Sequence, residues 1–187
     1  MIAIMFASLD DLFSGSIPRT LSGGESLFLT GDAVAFIYRV RAGRIALNRT
    51  TPQGAVLLLQ TARSGDVLAE ASAYSAHYHC DATALEPCTV EAVSKADFAR
   101  ALAANRDLAE AWENRLAHAV QEARLKSEIR TLRTVAERLD AWLSAKDSVL
   151  PPKGRWQELA SELGVSRETL YRELARRKPS VGSGRMD

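Results

Sequence analysis

Arginine and glutamate side chains near the C-terminus are the groups of this chain best suited to recognise a ligand. Arg167, Glu168 and Arg172 fall on or near the first turn and a half of a helix, if these residues are helical. An arginine guanidinium can fork onto a guanine, and a glutamate carboxylate can accept a hydrogen bond from the amino group of cytosine. The spacing therefore predicts a helix that reads bases in the major groove of DNA.

The surrounding sequence predicts the helix-turn-helix that would position these side chains. In RWQELASELGVSRETLYRELARRK (155–178), apolar residues recur at helical spacing on both sides of Gly164. Gly164 can adopt the positive φ that ends a helix, and Ser166 is a good N-cap for the next helix. The alternative is a surface helical hairpin in which Glu168 and Arg172 form an i,i+4 ion pair.

Further polar and basic side chains in this region are candidates for contacts with DNA phosphates. They are Lys153, Arg155, Ser166, Thr169, Arg176 and Arg177. Residues 151–187 hold 8 Lys and Arg against 5 Asp and Glu, whereas residues 1–104 hold 8 against 10. The positive charge therefore accompanies the helix-turn-helix, as phosphate contacts require. The net charge of the whole chain is only +1, so a generally basic nucleic-acid-binding protein is excluded.

Composition and hydropathy indicate a folded protein of one large or two small domains. The chain has 187 residues, of which 47% are hydrophobic and 25% charged, enough to bury a core and to exclude disorder. No apolar run is long enough to span a bilayer, and the start, MIAIMFASLDDLF, lacks the basic leader of a signal peptide. The two cysteines make no disulfide framework. We therefore expect a cytoplasmic protein with no membrane partner.

The N-terminal half has the pattern of an antiparallel β domain. Turn signals such as Gly31-Asp32 and Gly65-Asp66 separate short apolar or alternating runs. The runs are SLFL (26–29), AFIYRV (35–40), RIALNR (44–49), AVLLLQ (55–60), VLAE (67–70) and TVEAV (89–93). Strands at this spacing predict a sandwich or barrel.

After residue 94 the periodicity becomes helical. It predicts a short helix over 95–105, a long helix from 107 to about 127 and a further helix over 129–143. The long helix carries an alanine-rich stripe made of Leu108, Ala111, Trp112, Leu116, Ala119, Val120 and Ala123. This stripe predicts either a coiled-coil-like dimer seam or a helix packed on its own β domain.

The order of these elements resembles the Crp/Fnr family of bacterial transcription regulators. The run LFLTGD…GDVLAE (27–70) resembles the effector domain of that family, and VSRETLYREL (165–174) resembles its recognition helix. The resemblance implies an α+β fold with an antiparallel, cyclic-nucleotide-binding-like β-roll over 1–104, a dimerisation helix over 105–128 and a helix-turn-helix domain over 129–187. It implies DNA, a second copy of the chain and RNA polymerase as partners. It also implies half-sites with a G·C-bearing core similar to TGTGA, spaced two helical turns apart.

The resemblance also locates an effector pocket in the β domain. Its candidate residues are Glu70, His77, His79, Cys80 and Asp81. Members that bind cyclic nucleotides hold the cyclic phosphate with an Arg-Ser pair, and Cys80-Asp81 stand at that position here. Because a carboxylate repels a phosphate, and because no nearby arginine is expected to replace the lost one, cyclic AMP should bind weakly or not at all. The cysteine cluster that holds an iron–sulfur centre in some members is absent from residues 1–30.

The histidines and cysteines beside this pocket allow three interpretations. His77, His79 and Cys80, with Cys88 further on, could bind a metal ion or respond to redox state, or Cys80 could be a small buried hydrophobic residue. Cys80 is expected to point away from the face that carries His79. The spacing is not that of a structural zinc site, so we assign no metal, and the cofactor is undefined. No acid, base and nucleophile converge in the sequence, which predicts that the protein is not an enzyme.

The C-terminal tail departs from the family pattern. After Arg177 the family continues into another turn and a two-stranded wing, whereas Pro179 and the following SVGSGRMD have no strand pattern. We therefore expect low DNA affinity. The alternative function is a cyclic-nucleotide-like sensor or interaction module whose DNA-binding head does not work.

Overall fold

The chain folds into two compact units, each with its own hydrophobic core. The computed structural model describes residues 9–68, 70–146 and 149–177. The first unit extends to His118 and the second begins at Ala119. They are called the β unit and the helical unit below.

The β unit consists of two antiparallel sheets with helices at its start and end. Its elements are α1 (Leu9–Ser14), β1 (Arg19–Leu21), β2 (Ser26–Phe28), β3 (Phe36–Ala42), β4 (Ile45–Thr50), β5 (Val56–Ala62), β6 (Val67–Leu68), β7 (Asp81–Ala84), β8 (Cys88–Ser94), α2 (Lys95–Ala104) and the first half of α3 (Arg106–Thr131). The two 4-stranded sheets have the orders β1-β8-β3-β6 and β2-β7-β4-β5. The predicted α+β class with an N-terminal β-roll is confirmed.

Both faces of the sheet that contains β3 and β8 are buried. Ile37 and Val40 on β3 are completely buried, and because they are three residues apart they point to opposite faces of the strand. The helices α1 and α2 pack against this sheet. In the other sheet, Ile45 and Leu47 on β4 and Ala82 and Ala84 on β7 are buried at alternate positions, so one face of that sheet adjoins the core.

The turn between β3 and β4 requires glycine. Gly43 has φ +83°, and a Cβ there would lie 2.6 Å from the Cys88 Sγ. The buried Cys88 thiol donates to the carbonyls of Arg44 and Glu86 at 3.0 and 2.9 Å. Cys88 thus holds this turn by packing and hydrogen bonds.

The first half of α3 packs on the β unit. Leu108 and Trp112 are buried in its core, Leu116 packs against that core, and Trp112 meets the ring of Phe98 edge-on at 4.9 Å. This part of the predicted seam therefore follows the alternative interpretation, a helix packed on its own β domain. Val120, in contrast, is 50% exposed.

The helical unit contains the predicted helix-turn-helix. Its elements are the second half of α3, α4 (Val135–Ala145), a 3₁₀ turn (Lys153–Arg155), α5 (Trp156–Leu163) and α6 (Arg167–Arg177). The buried core is formed by Ile129, Leu139, Leu159, Ala160, Leu163, Leu170 and Leu174. The apolar positions predicted to face inward in the helix-turn-helix are therefore buried.

Several predicted boundaries were wrong. The helix expected from Ile129 begins at Val135, because Thr134 and Glu137 form a capping box that starts α4, whereas Ile129 belongs to α3. The strand expected over VLAE ends at Leu68, and Glu70 begins a 3₁₀ turn. The strands β1 and β7 are absent from the predicted runs because Arg19-Thr20-Leu21 and Asp81-Ala82-Thr83-Ala84 contain few strongly apolar residues.

Two further expectations concern the C-terminal tail and the membrane. The tail from Lys178, where the family has its wing, lies outside the described residues. Among the helices that are described, none is both long and apolar enough for a bilayer crossing.

Candidate functional site

The turn between α5 and α6 has the geometry that the sequence predicts. Gly164 adopts φ +66°, and its N–H donates to the carbonyls of Ala160 and Ser161. The Ser166 hydroxyl then accepts a hydrogen bond from the Thr169 N–H at 3.2 Å and caps α6. This short turn fixes where α6 begins.

Two arginines that the sequence analysis did not single out hold this turn from neighbouring helices. Arg130 of α3 donates to the Ser161 carbonyl at 2.8 Å, and Arg138 of α4 donates to the carbonyls of Leu163 and Gly164 at 3.1 and 3.2 Å. They add donors to carbonyls at the negative, C-terminal end of α5, where the intrahelical hydrogen bonds run out. No local motif signals these contacts, since they depend on how the helices pack.

The predicted base-reading side chains stand on the outward face of α6. Arg167, Glu168 and Arg172 are exposed, while Leu170 and Leu174 on the opposite face are buried. Arg172 makes no ion pair or hydrogen bond with any described residue. The pKa of Glu168 is lowered by hydrogen bonds from its own backbone N–H and from Ser166, and by the charge of Arg167. Glu168 is therefore an ionised acceptor at neutral pH.

Aromatic rings hold Arg167 at the surface. The Arg167 guanidinium lies 5.1 Å from the ring centre of Tyr171, which meets Trp156 edge-on at 5.0 Å. The indole N–H of Trp156 donates to the Pro151 carbonyl at 3.0 Å. This stack restricts the directions in which Arg167 can project.

The residues predicted to contact phosphates differ in the ion pairs and hydrogen bonds that their side chains make within the protein. Arg177 pairs with Glu173 at 2.6 Å and Asp140 at 2.5 Å, and it donates to the Ala136 carbonyl, so its guanidinium is occupied inside the helical unit. Arg176 also pairs with Glu173 but its side chain is 70% exposed.

The other residues predicted to contact phosphates make fewer interactions within the protein. Arg155 lies 3.4 Å from Glu158, and the hydroxyls of Ser166 and Thr169 share a hydrogen bond of 2.9 Å. Lys153 lies in the 3₁₀ turn before α5 and is exposed. These groups surround the start of α5 and the start of α6.

The predicted effector residues lie along one segment of the β unit. Glu70 begins the 3₁₀ turn after β6, and His77 forms an isolated bridge with Ala33. His77 and His79 are exposed whereas Cys80 is buried, so Cys80 points away from the histidines as expected. Regular strand structure begins only at Asp81.

Comparisons with known proteins agree with this architecture. Residues 18–105 match the cyclic nucleotide-binding domain family. FixK2 of Bradyrhizobium japonicum is 18% identical, with 86% of this chain and 83% of FixK2 covered and a TM-score of 0.71. The c-di-GMP-responsive global regulator CLP of Xanthomonas campestris is 19% identical, with coverages of 88% and 87% and a TM-score of 0.66. The catabolite activator protein of Thermus thermophilus is 25% identical, with coverages of 89% and 80% and a TM-score of 0.55.

The resemblance to the Crp/Fnr family is confirmed. Residues 18–105 match the model of the cyclic nucleotide-binding domain family. Over 86% and 88% of its length, the chain shares the fold of FixK2 and of CLP. Among curated proteins, no sequence matches this chain.

Cys80 and Asp81, which the resemblance sets at the Arg-Ser position of the Crp/Fnr pocket, carry no positive charge. Burial raises the pKa of Cys80; Arg49 opposes this effect, while Asp81 and Glu70 add to it. The thiol therefore stays protonated at neutral pH, which makes it a poor nucleophile and a poor metal ligand. Within the described part of the chain, no three His, Cys, Asp or Glu side chains are grouped to hold a metal ion. The Asp81 carboxylate accepts from the Thr30 N–H at 2.7 Å.

The expectation that no arginine lies near this position of the Crp/Fnr pocket is wrong. Arg49 of β4 donates from Nε to the His79 carbonyl at 3.2 Å, and its charge acts on Cys80. The sequence separation of thirty residues hid this contact. The signal that reveals it is the register of β4 with β7, which pairs Asn48 with Asp81.

Proposed function

We propose that this chain is a dimeric, sequence-specific DNA-binding transcription regulator of the Crp/Fnr type, with an effector other than cyclic AMP. The observation that carries the proposal is the outward face of α6. There Arg167, Glu168 and Arg172 are exposed directly after a capped helix-turn-helix turn. A helix N-terminus with these side chains fits the major groove, where base edges differ from one another.

Each of these three side chains has a distinct role in the proposed complex. Arg172, which has no partner among the described residues, donates to a guanine. Arg167, held by Tyr171, donates to a second guanine, and the ionised Glu168 accepts from a cytosine amino group. Arg176 and the polar residues near Ser166 contact the phosphates and set the register of the helix.

Dimerisation is proposed for the part of α3 that no described core covers. Val120 is 50% exposed, and Ala123, one turn further on, is also exposed. Small side chains allow two helices to approach closely. A two-fold dimer would present two copies of α6 to half-sites about two helical turns apart, and the DNA-bound dimer would then act on RNA polymerase.

The β unit is proposed to sense the effector through the segment that includes Glu70 and Cys80. This segment contacts α3, because the Trp112 indole N–H donates to the Tyr74 hydroxyl at 2.9 Å. A ligand that displaces the segment would therefore disturb the start of the proposed dimerisation helix. This coupling supports a regulator whose DNA binding responds to a small molecule.

Selection from random DNA, followed by mobility-shift titrations at two salt concentrations, tests the proposal. We expect a palindrome with G·C-bearing half-sites and an affinity that falls as salt rises. Arg172→Ala should relax one position of each half-site, whereas Arg100→Ala, an exposed arginine of the β unit, should leave the selected sequence unchanged. If no palindrome is recovered and all sequences bind alike, the alternative, a sensor without a working DNA-binding head, replaces the proposal.

A further inference from the structure

Arg49 lies in a row of side chains that crosses the sheet of β5, β4 and β7. On one side Arg49 pairs with Leu57 of β5. On the other side Leu47 pairs with Ala82 and Asn48 with Asp81, where the ladder ends. Just beyond that end, the Arg49 Nε donates to the His79 carbonyl at 3.2 Å, and the charge of Arg49 acts on Cys80. Residues directly opposite each other in neighbouring strands project from the same face. Leu57 and Arg49 therefore share one face of the sheet, and Cys80 lies near Arg49.

That face is the inner one, and it opens to solvent at this row. Leu47 and Ala82, two positions further along the strands on the same face, are 5% and 0% exposed. At the row itself Leu57 is 49% exposed, and Leu59 on the same strand is 41% exposed. Leu57, paired with Arg49, continues the inner face, and Leu59 lies at the bulge where the register shifts between Leu47 and Asn48. The two exposed leucines provide an apolar surface near Arg49.

The charge of Arg49 has no carboxylate partner among the described residues. Its Nε donates to the His79 carbonyl, which anchors the side chain, while the remaining N–H donors are left for a ligand. Asp81 directs a carboxylate oxygen to the Thr30 N–H. The charge of Glu70 also acts on Cys80.

We propose that this row binds a small organic anion, with one oxyanion head on Arg49 and an apolar body over Leu57 and Leu59. The inference deepens the proposed function, since it gives the chemical class of effector that the β unit takes. A carboxylate and a phosphate monoester both satisfy a guanidinium fork, so the head is defined by its charge and its acceptor oxygens.

Isothermal titration of the full chain with four probes tests this site. Octanoate and phenyl phosphate carry the two kinds of head on an apolar body, benzyl alcohol has a body without charge, and inorganic phosphate has charge without a body. We expect octanoate or phenyl phosphate to bind at least about tenfold more tightly than both control probes. The anion that binds more tightly identifies the head.

Variants distinguish binding at the proposed anion site from nonspecific binding. Arg49→Gln should reduce binding of the preferred anion to the level of benzyl alcohol, Arg49→Lys should retain part of it, and Leu57→Ser should weaken it. Arg100→Gln, which removes another exposed arginine of the β unit, should leave it unchanged. Circular dichroism melting of each variant checks folding.

Two results would overturn the inference. One is a wild-type chain that binds neither anion more tightly than benzyl alcohol, and the other is an Arg49→Gln variant that is folded and binds the preferred anion as the wild type does. A mobility-shift assay with ligand-free wild-type protein tests the proposed function separately. Absence of sequence-specific DNA binding would contradict the proposed function, and the calorimetric titrations would still test the anion site.

Discussion

The helical unit and the β unit build their candidate sites in opposite ways. In the helical unit, the side chains proposed to read bases come from residues 167–172 of a single helix and are exposed to solvent. In the β unit, Arg49, Leu57 and Cys80 come from three chain segments and adjoin the buried core. One site is a property of a helix face, and the other is a property of strand register.

This difference predicts how each site tolerates substitution. A side chain on the outward face of α6 can be changed with little effect on folding, because surface substitutions usually alter stability by less than about half a kcal/mol. In the β unit the strands that carry the ligand residues also carry Leu47 and Ala82, which are buried. Substitutions on these strands can disturb the packing of the core, so ligand affinity and thermal stability must be measured for the same variant.

The largest expected effect comes from two residues one turn apart on α3. Val120→Glu should yield folded monomers, because a charge would be buried at the proposed seam, and operator affinity should fall about 100-fold or more as bivalent binding is lost. Leu116→Glu should instead destabilise the β unit, since Leu116 packs on its core. Sedimentation equilibrium and thermal melting distinguish the two outcomes.

A wild-type chain that stays monomeric at micromolar concentration would contradict the seam. Val120→Ala serves as the control, because it shortens the side chain without adding charge and should remain dimeric. If Leu116→Glu were instead folded and monomeric, the division of α3 between core packing and dimerisation would be wrong.

The next effect in size concerns Arg172. Replacing it by Ala should cost roughly 1–3 kcal/mol of operator binding and relax discrimination at one base pair, because Arg172 is assigned to a guanine. Thermal stability should stay at the wild-type value, since Arg172 contacts no described residue. Competition titrations with single-base operator variants measure the change. An unaltered base preference would show that Arg172 is an exposed surface residue that does not contact a base.

Arg177 should show the reverse pattern with a smaller magnitude. The sequence predicts that Arg177 contacts a phosphate. In the structure its guanidinium instead pairs with Glu173 and Asp140 and donates to the Ala136 carbonyl. Arg177→Ala should therefore lower the free energy of unfolding by about 1–2 kcal/mol and leave the salt dependence of DNA binding nearly unchanged. Arg176→Ala, at the more exposed arginine, should flatten the salt slope by about one unit.

The salt slopes of these two variants decide between the interpretations. A slope that drops in Arg177→Ala but not in Arg176→Ala would restore Arg177 as the phosphate contact. Unfolding is followed by denaturant titration, so that the stability change is separated from the change in DNA affinity.

Sequence patterns were sufficient wherever neighbouring residues decide the structure. Gly164 and Ser166 specify the end of α5 and the start of α6 through backbone conformation and capping, and the leucine spacing specifies the buried face. The capping box of Thr134 and Glu137 carried the same kind of local signal, but the apolar periodicity that continues from Ile129 obscured it.

Contacts between distant segments could not be obtained from patterns. The placement of Arg49 beside His79 depends on the register of β4 with β7, and the ion pairs of Arg177 depend on how α4 packs beside α6. An exposed arginine and a paired arginine look identical in the sequence. For this reason the exposed positions of Arg167, Glu168 and Arg172 on α6 were predictable, whereas the cation near Cys80 was not.

The smallest expected effect is the response to cyclic AMP. Cys80, which the resemblance sets where the arginine of other members holds the cyclic phosphate, is buried, and burial raises the pKa of its thiol. The group therefore carries no charge at pH 7 and gains a negative charge only at higher pH, which would repel a phosphate further. Arg49 reaches this region from the neighbouring strand, and its Nε donates to the His79 carbonyl.

Calorimetric titration should give no saturable heat with cyclic AMP at concentrations where the preferred anion saturates Arg49. The double variant Cys80→Arg with Asp81→Ser restores the Arg-Ser pair and should bind cyclic AMP more tightly than the wild type, provided that its melting curve shows a folded β unit. Low-micromolar binding by the wild-type chain would contradict this prediction, and loss of that binding in Arg49→Gln would then assign the cyclic phosphate to Arg49.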